Sequence, residues 1–292
     1  MSMRANWPIQ KSVEDLRTYA WNLFRFRAET AADFSGAWAT TTTTHGTTVA
    51  STRRSDGLFC DIHVGTGATA FNFCVTQNGN VLSLESPAGA EHIRVGVFEE
   101  GYTICDHTLG LRYWDLGAFS PNGDFQAPTI VQPNGPNTLP LTITRTTWNF
   151  IYTLKQTFTR NVQDRAVIVT MALSNNDITF TGPRSVSFWR AADFDVDGST
   201  SNWGGATKDS AFAWNNVAGL SPGGRGTALS TQSLALPHSA GVVPFGVGDP
   251  ACPEFSDTGW PRVDDVVAYV GHDFVFTGKH QTKTATFRFR VF

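Results

Sequence analysis

The stretch Trp189–Trp203, WRAADFDVDGSTSNW, starts as a strand and ends in an acidic turn. Read at the two-residue period of a strand and continued back to Val186, it puts Val186, Phe188, Ala192, Phe194 and Val196 on one face. Trp189, Asp193, Asp195 and Asp197 fall on the other. One apolar and one polar face describe a strand in a sheet that covers a core on one side. Arg190 is the exception. It points among Phe188 and Phe194, where an unpaired guanidinium is costly, so it either reaches a buried carboxylate or lines a second cleft as a substrate-binding group.

The same alternation recurs outward from this stretch. Trp148–Thr159 alternates Trp148, Phe150, Tyr152 and Leu154 against polar partners, and Asn161–Asp164 turns it into Ala166–Leu173. The last strand, Thr282–Phe292, sends Ala285, Phe287, Phe289 and Val291 inward and Thr286, Arg288 and Arg290 outward. Earlier in the chain, Leu58–Val64, Phe71–Val75, Val81–Glu85, Ile93–Phe98, Tyr102–Cys105 and Leu111–Leu116 read as short strands, with Asp56-Gly57 and Asn78-Gly79 as turns. Threonine runs at 40–44 and 47–52 flank a His45-Gly46 hairpin turn. Residues 13–29, after the Ser12 cap, carry the one helical pattern, with Arg17, Arg25 and Arg27 on a solvated face.

These elements predict an all-β protein: a large antiparallel β-sandwich, supersandwich-like or two packed sandwiches, with one N-terminal helix. The expected organisation is a helical segment 1–35 and a sandwich 36–292. The proline-rich connection 117–140 divides the sandwich into halves 36–125 and 140–292. Gly219–Gly226 and His238–Asp265 read as further loops.

Composition narrows the function classes. Charged residues are 16% of the 292 and the net charge is −3, which leaves no basic stripe for nucleic acid and no attraction to an anionic membrane. No run of about 18 apolar residues is present. The N-terminal MSMRANWPIQ lacks an apolar signal core and no N-x-S/T sequon occurs; an extracytoplasmic setting is the expectation, with any signal peptide outside this chain. Cys60, Cys74, Cys105 and Cys252 form no C-x-x-C pair, which argues against zinc. A four-residue turn at Gly65–Ala68 would pair Cys60 with Phe73 and turn Cys74 to the other face, against a Cys60–Cys74 bridge. A Cys105–Cys252 bridge stays open.

Two constellations can carry chemistry. Asp193, Asp195, Asp197 and Gly198 spell D-x-D-x-D-G, hard oxygens at alternate positions before a sharp turn, as calcium sites use. An EF-hand is excluded because its twelfth position is Gly204. A different Ca2+ site would need completing from elsewhere, for instance by Asp209 or by Asp249, Glu254, Asp257, Asp264 and Asp265. The same carboxylates beside Trp189 and Trp203 also suit a carbohydrate: aromatic faces stack on sugar C–H faces while carboxylates accept hydroxyl bonds or move protons, Asp193 and Asp195 serving as acid and base. The second constellation is Tyr102, Asp106, His107, Arg112, Tyr113, Trp114 and Asp115. In it His107 forms an acid–base pair with Asp106 or Asp115 and the cationic Arg112 holds an anionic substrate, with His107, Arg112 and Tyr113 as the catalytic candidates. The remaining histidines, His63, His92, His238, His272 and His280, share no ligand spacing.

No G-x-S-x-G elbow, H-E-x-x-H, P-loop or dinucleotide fingerprint occurs. The leading expectation is a carbohydrate-active protein with an aromatic-lined cleft, a cofactor-independent lyase, epimerase or hydrolase. The alternative is a non-catalytic, calcium-stabilised binding or adhesion module. The architecture is similar to the sugar-mutarotase supersandwich, a likeness of breadth and strand number carried by no motif.

Overall fold

The computed structural model describes residues 59–64, 70–93, 100–116, 124–135, 138–161, 163–199, 201–215, 225–244, 252 and 262–292. The chain divides into units Met1–Thr48 and Val49–Phe292, and every described residue belongs to the second. The expected helix 13–29 and the hairpin at His45 lie outside the described residues.

Among the described residues, seventeen strands form three antiparallel sheets. β1 (Phe59–Val64), β2 (Phe71–Val75) and β3 (Val81–Glu85) form a small sheet. A five-stranded sheet runs β14 (His238–Pro244), β16 (Val266–Phe276), β10 (Arg184–Phe194), β4 (Glu100–Asp106) and β5 (Leu111–Leu116). The nine-stranded sheet begins with β15 (Arg262–Asp264), β11 (Asn202–Thr207), β12 (Ser210–Asn215) and β13 (Gly226–Thr231). It continues through β17 (Thr282–Val291), β9 (Ala166–Asn175), β8 (Tyr152–Asn161), β7 (Leu141–Thr146) and β6 (Thr129–Val131). β4 and β5 precede the 117–140 connection and β10 follows it, yet all three share one sheet.

The two large sheets pack face to face on side chains that the two-residue period predicts. Val186, Phe188, Ala192, Phe194 and Val196 are buried in one core with Ala285, Phe287, Phe289 and Val291. Phe188 meets Phe287 edge-on at 6.0 Å. Each such phenylalanine contributes about 2–3 kcal/mol of burial. Threonines cover the outer side of the nine-stranded sheet in cross-strand pairs, such as Thr146–Thr153 at 3.1 Å.

Several sequence expectations are corrected. Trp148 and Phe150 sit in the turn before β8 and are exposed, because Thr147 closes a tight turn there through its bonds with Tyr152. β7, missed in the sequence, alternates Leu141 and Ile143 inward but puts Arg145 in the third inward position. His238–Asp265, expected as a loop, opens with β14. In β1, Val64 pairs with Phe71 rather than Thr69 and a register shift between Asp61 and Val64 then sets Cys60 opposite Cys74 rather than Phe73; Cys74 is disulfide-bonded. The Cys105–Cys252 disulfide is formed.

Two fully buried inward arginines organise the core. All five N–H groups of Arg190 are used: Nε and Nη2 bind the Glu100 carboxylate at 2.6 Å each, Nη1 reaches Gln156 Oε1 at 3.0 Å and Met171 Sδ at 3.4 Å, and Nη2 also reaches the Gly79 carbonyl at 2.9 Å. Arg145 pairs with Asp115 and donates to the Tyr102 hydroxyl at 3.0 Å. Between them the Asn78-Gly79 turn is swallowed by the sandwich. Its Asn78 carbonyl accepts from Tyr102 and Gln156. Gly79, at φ +93°, leaves no room for a Cβ beside Gln156.

Candidate functional site

The five-stranded sheet is covered on its outer face as well as its inner one, and this decides what the acidic strand can do. On that outer face β10 presents Ser187, Trp189, Ala191 and Asp193. Trp189, Ala191, Val267, Tyr269 and Cys105 form a second buried cluster, against which Val243 and Cys252 pack. Trp189 is 6% exposed and meets Tyr269 edge-on at 6.1 Å. Its ring lies over Gly271, where any Cβ would collide with it.

The acidic residues converge at the end of β10 because of register. β10 and β16 pair Asp193 with Val267 and Phe194 with Val266, so one step further Asp195 comes opposite Asp265. Ligand oxygens of Asp193, Asp195 and Asp265 lie within 4.8 Å of one another, with Asp193 and Asp195 buried. Asp197 leaves the group. It sits at φ 59° in the tight turn Val196–Gly198, and its carboxylate pairs with Arg225 at 2.7 Å and accepts from Asn215. The alternation that put three aspartates on one face ends with the strand at Phe194, so Asp265 takes the place expected of Asp197.

Of the other expected site residues, Arg190 is a core residue, sealed by Glu100 as described, and lines no cleft. Trp203 is separated from Trp189. On β11, Asn202 turns inward to donate to the Phe194 carbonyl at 2.9 Å and Gly204 lies against Val266, which places Trp203 on the outer face of the nine-stranded sheet, opposite Trp214 in register. The two tryptophans occupy opposite outer faces of the sandwich and form no joint stacking platform.

The second constellation is split by the strand period. Tyr102, Asp106, Tyr113 and Asp115 face the core, while His107 and Arg112 are exposed on the other side. Asp106 accepts from the Tyr152 hydroxyl at 2.6 Å and lies 3.4 Å from Arg184; Asp115 serves Arg145 and Asn80. Burial pushes the Glu100 carboxyl up to about 7 and that of Asp115 up to about 6, against the pull of Arg190 and Arg145. Burial likewise raises Tyr113, whose hydroxyl accepts from Asn149 at 2.8 Å. His107 finds a different acid partner. Its Nε2 lies 2.6 Å from Ser187 Oγ, which donates to Asp273 at 2.6 Å. Since the serine proton goes to Asp273, His107 Nε2 is the donor in its bond to Ser187. Six residues of strand separate Ser187 from Asp193, about 20 Å, so His107 and the aspartates are two distinct groups on one face.

A third feature had no counterpart in the sequence. The turns 107–110 and 147–151 and the loop 176–183 enclose an open cleft of 680 Å³, floored by Arg184 and Asp177. Its residues come from three loops far apart in sequence, a convergence that periodicity cannot show. Arg184 donates to Asp177 at 2.6 Å, and bonds from Thr179, followed by that from Arg184, hold the Asp177 carboxyl down at about 2.

No family model matches the chain, and neither does any curated protein sequence. Among solved structures, a bacterial glucoamylase complexed with acarbose is similar with a TM-score of 0.53 and 12% identity, over 82% of this chain and 32% of the glucoamylase chain. A putative aldose 1-epimerase from Escherichia coli K12 aligns at a TM-score of 0.41 and 11% identity, over 81% of this chain and 99% of its own. A polysaccharide lyase aligns at 0.42 and 8%, over 78% of this chain and 33% of its own. The chain spans about a third of the glucoamylase, and what it has in common with that part is the fold: a large antiparallel β-sandwich.

Proposed function

We propose that this protein is carbohydrate-active and that Asp193, Asp195 and Asp265, on the outer face of the five-stranded sheet, are the groups that meet the sugar. The observation that carries the reading is their convergence within 4.8 Å, with two of the three buried. Carboxylates so close do not all stay ionised unless a proton, a donor or a cation offsets their charge. They share a proton, accept hydroxyl bonds or hold a cation, and the first two are what acid–base work on a sugar requires. The sandwich in common with part of a glucoamylase supports the class of ligand by analogy of fold. His107, relayed through Ser187 to Asp273, is the second candidate acid–base group, and Arg112 stands on the same face at the sheet edge.

The test is activity and binding across neutral and uronic oligosaccharides, comparing wild type with Asp193→Asn and Asp195→Asn. Loss of activity, or of one class of sugar-binding sites, in both variants with unchanged melting temperature supports the reading. An equal response in all three proteins refutes it.

A second reading rests on the same distance. Two oxygens bound to one Ca2+ at 2.3–2.6 Å lie at most about 5 Å apart, so the three aspartates fit one calcium ion and would hold it as hard oxygen ligands, stapling β10 to the start of β16. Calcium saturation then raises the melting temperature over that in chelator, and Asp265→Asn removes the difference. A sugar response independent of calcium, with no thermal shift, discards the calcium-stabilised module.

A further inference from the structure

Among the described residues, eight large apolar side chains are exposed, and four of them, Leu109, Trp148, Phe150 and Ile178, belong to the three loops around the 680 Å³ cleft. Scattered single exposures need no explanation, but this concentration does. Phe150 is 65% exposed, Ile178 75% and Trp148 58%, so none of these rings and chains serves the core. Phe150 also holds φ 63°, a conformation that glycine or asparagine takes at lower cost. The turn keeps it there. Phe150 N–H donates to the Thr147 carbonyl at 2.8 Å, and Asn149 Oδ1 accepts from Ile151 while Asn149 Nδ2 donates to Tyr113.

Beneath this apolar rim the charged part of the lining is electrically balanced. Asp177 and Arg184 are the charged residues of the lining and they neutralise each other. Two further charges contact the lining: the buried Asp106, 3.4 Å from Arg184, and Lys279, which is turned onto the Ile178 carbonyl. Two carboxylates and two cations leave no net charge to attract an ionic ligand. The remaining polar lining consists of amides and hydroxyls, including Asn149, Asn176, Thr179 and Thr181.

We infer that this cleft is a second carbohydrate-binding site, remote from the acidic face, which takes a neutral oligosaccharide with one sugar ring stacked on Phe150 and its hydroxyls directed at the amide, hydroxyl and Asp177–Arg184 floor. An exposed aromatic ring on a turn fixed by its own hydrogen bonds matches the C–H face of a pyranose, and the lining amides and hydroxyls, bonded within the protein, keep second donor or acceptor positions for its hydroxyls. The inference rests on the carbohydrate reading proposed above but not on the acidic residues. It makes the cleft a holding site for the chain whose chemistry would take place elsewhere.

The test uses the full chain and titration calorimetry with maltoheptaose, cellohexaose and xylohexaose, and with trigalacturonate as the charged probe. Asp193→Asn/Asp195→Asn is the background that disables the acidic face, and Phe150→Ala is added to it. Phe150 is largely exposed, so its replacement leaves the melting temperature unchanged. The expected result is that a neutral probe still binds the background protein, that Phe150→Ala weakens it at least tenfold, and that trigalacturonate binds no better than the neutral probes. A background protein that binds nothing while wild type binds overturns the cleft and leaves the acidic face standing. Binding in the background that ignores Phe150→Ala also overturns it, as does a Phe150-dependent dimer seen by sedimentation. If wild type binds none of the probes, both proposals fall.

Discussion

At the scale of single residues, the informative positions are those where a charged side chain breaks an apolar alternation. Arg190 and Arg145 both occupy inward strand positions, and each is met by a carboxylate from the neighbouring region of the fold, Glu100 and Asp115. The sequence announced the anomaly at Arg190, and a buried carboxylate was one of its two solutions; which carboxylate was not legible, since Glu100 lies 90 residues away and meets it only through the β4–β10 pairing. At Arg145 the same anomaly hid a strand. Replacing Arg190 with Met strands Glu100 in the core, and urea unfolding is expected to show a loss of about 3–5 kcal/mol. Adding Glu100→Gln to Arg190→Met recovers part of that loss, because the uncompensated charge is then gone.

At the scale of elements, β10 shows why the apolar face was legible and the functional face was only half so. The inner residues follow the two-residue period to the end. The outer face was expected to be open, with Trp189 as a stacking surface, but Tyr269, Val267 and the Cys105–Cys252 disulfide cover it. Burial on both faces leaves no exposure signal in a sequence pattern. Asp265 was among several acidic residues able to complete the site, and only the β10–β16 register singles it out. The disulfide spans 147 residues, so removing it with Cys105→Ser/Cys252→Ser is expected to cost about 2–5 kcal/mol, read as a lower denaturation midpoint. If the cover holds Trp189 in place, the same variant also red-shifts the tryptophan emission under native conditions.

At the scale of the whole molecule, the sandwich was predictable because its strands are bounded by turn residues and alternate strictly, whereas the cleft was not, because loops meet by topology. The molecule also has an acid limit. Burial, followed by the nearby His238, holds His272 down at about 4, below its usual 6.5, with Nε2 2.9 Å from Thr231 Oγ1. A depressed histidine stays neutral in the folded state while the unfolded chain takes up a proton. Its contribution is therefore present above pH 6.5 and is lost as the pH falls towards 4, by about 3 kcal/mol at most. Melting temperatures between pH 7 and 4 are expected to fall less steeply for His272→Gln than for wild type. His92, also lowered by burial, leaves a residual slope in the variant.

The central claim is that sugar meets the protein at Asp193, Asp195 and Asp265, and the most direct measurement is oligosaccharide binding followed on wild type and on the triple variant Asp193→Asn/Asp195→Asn/Asp265→Asn, both in chelator. The account predicts that the triple variant, still folded by circular dichroism, loses one class of sites that wild type retains without calcium. Identical isotherms for the two proteins would contradict it.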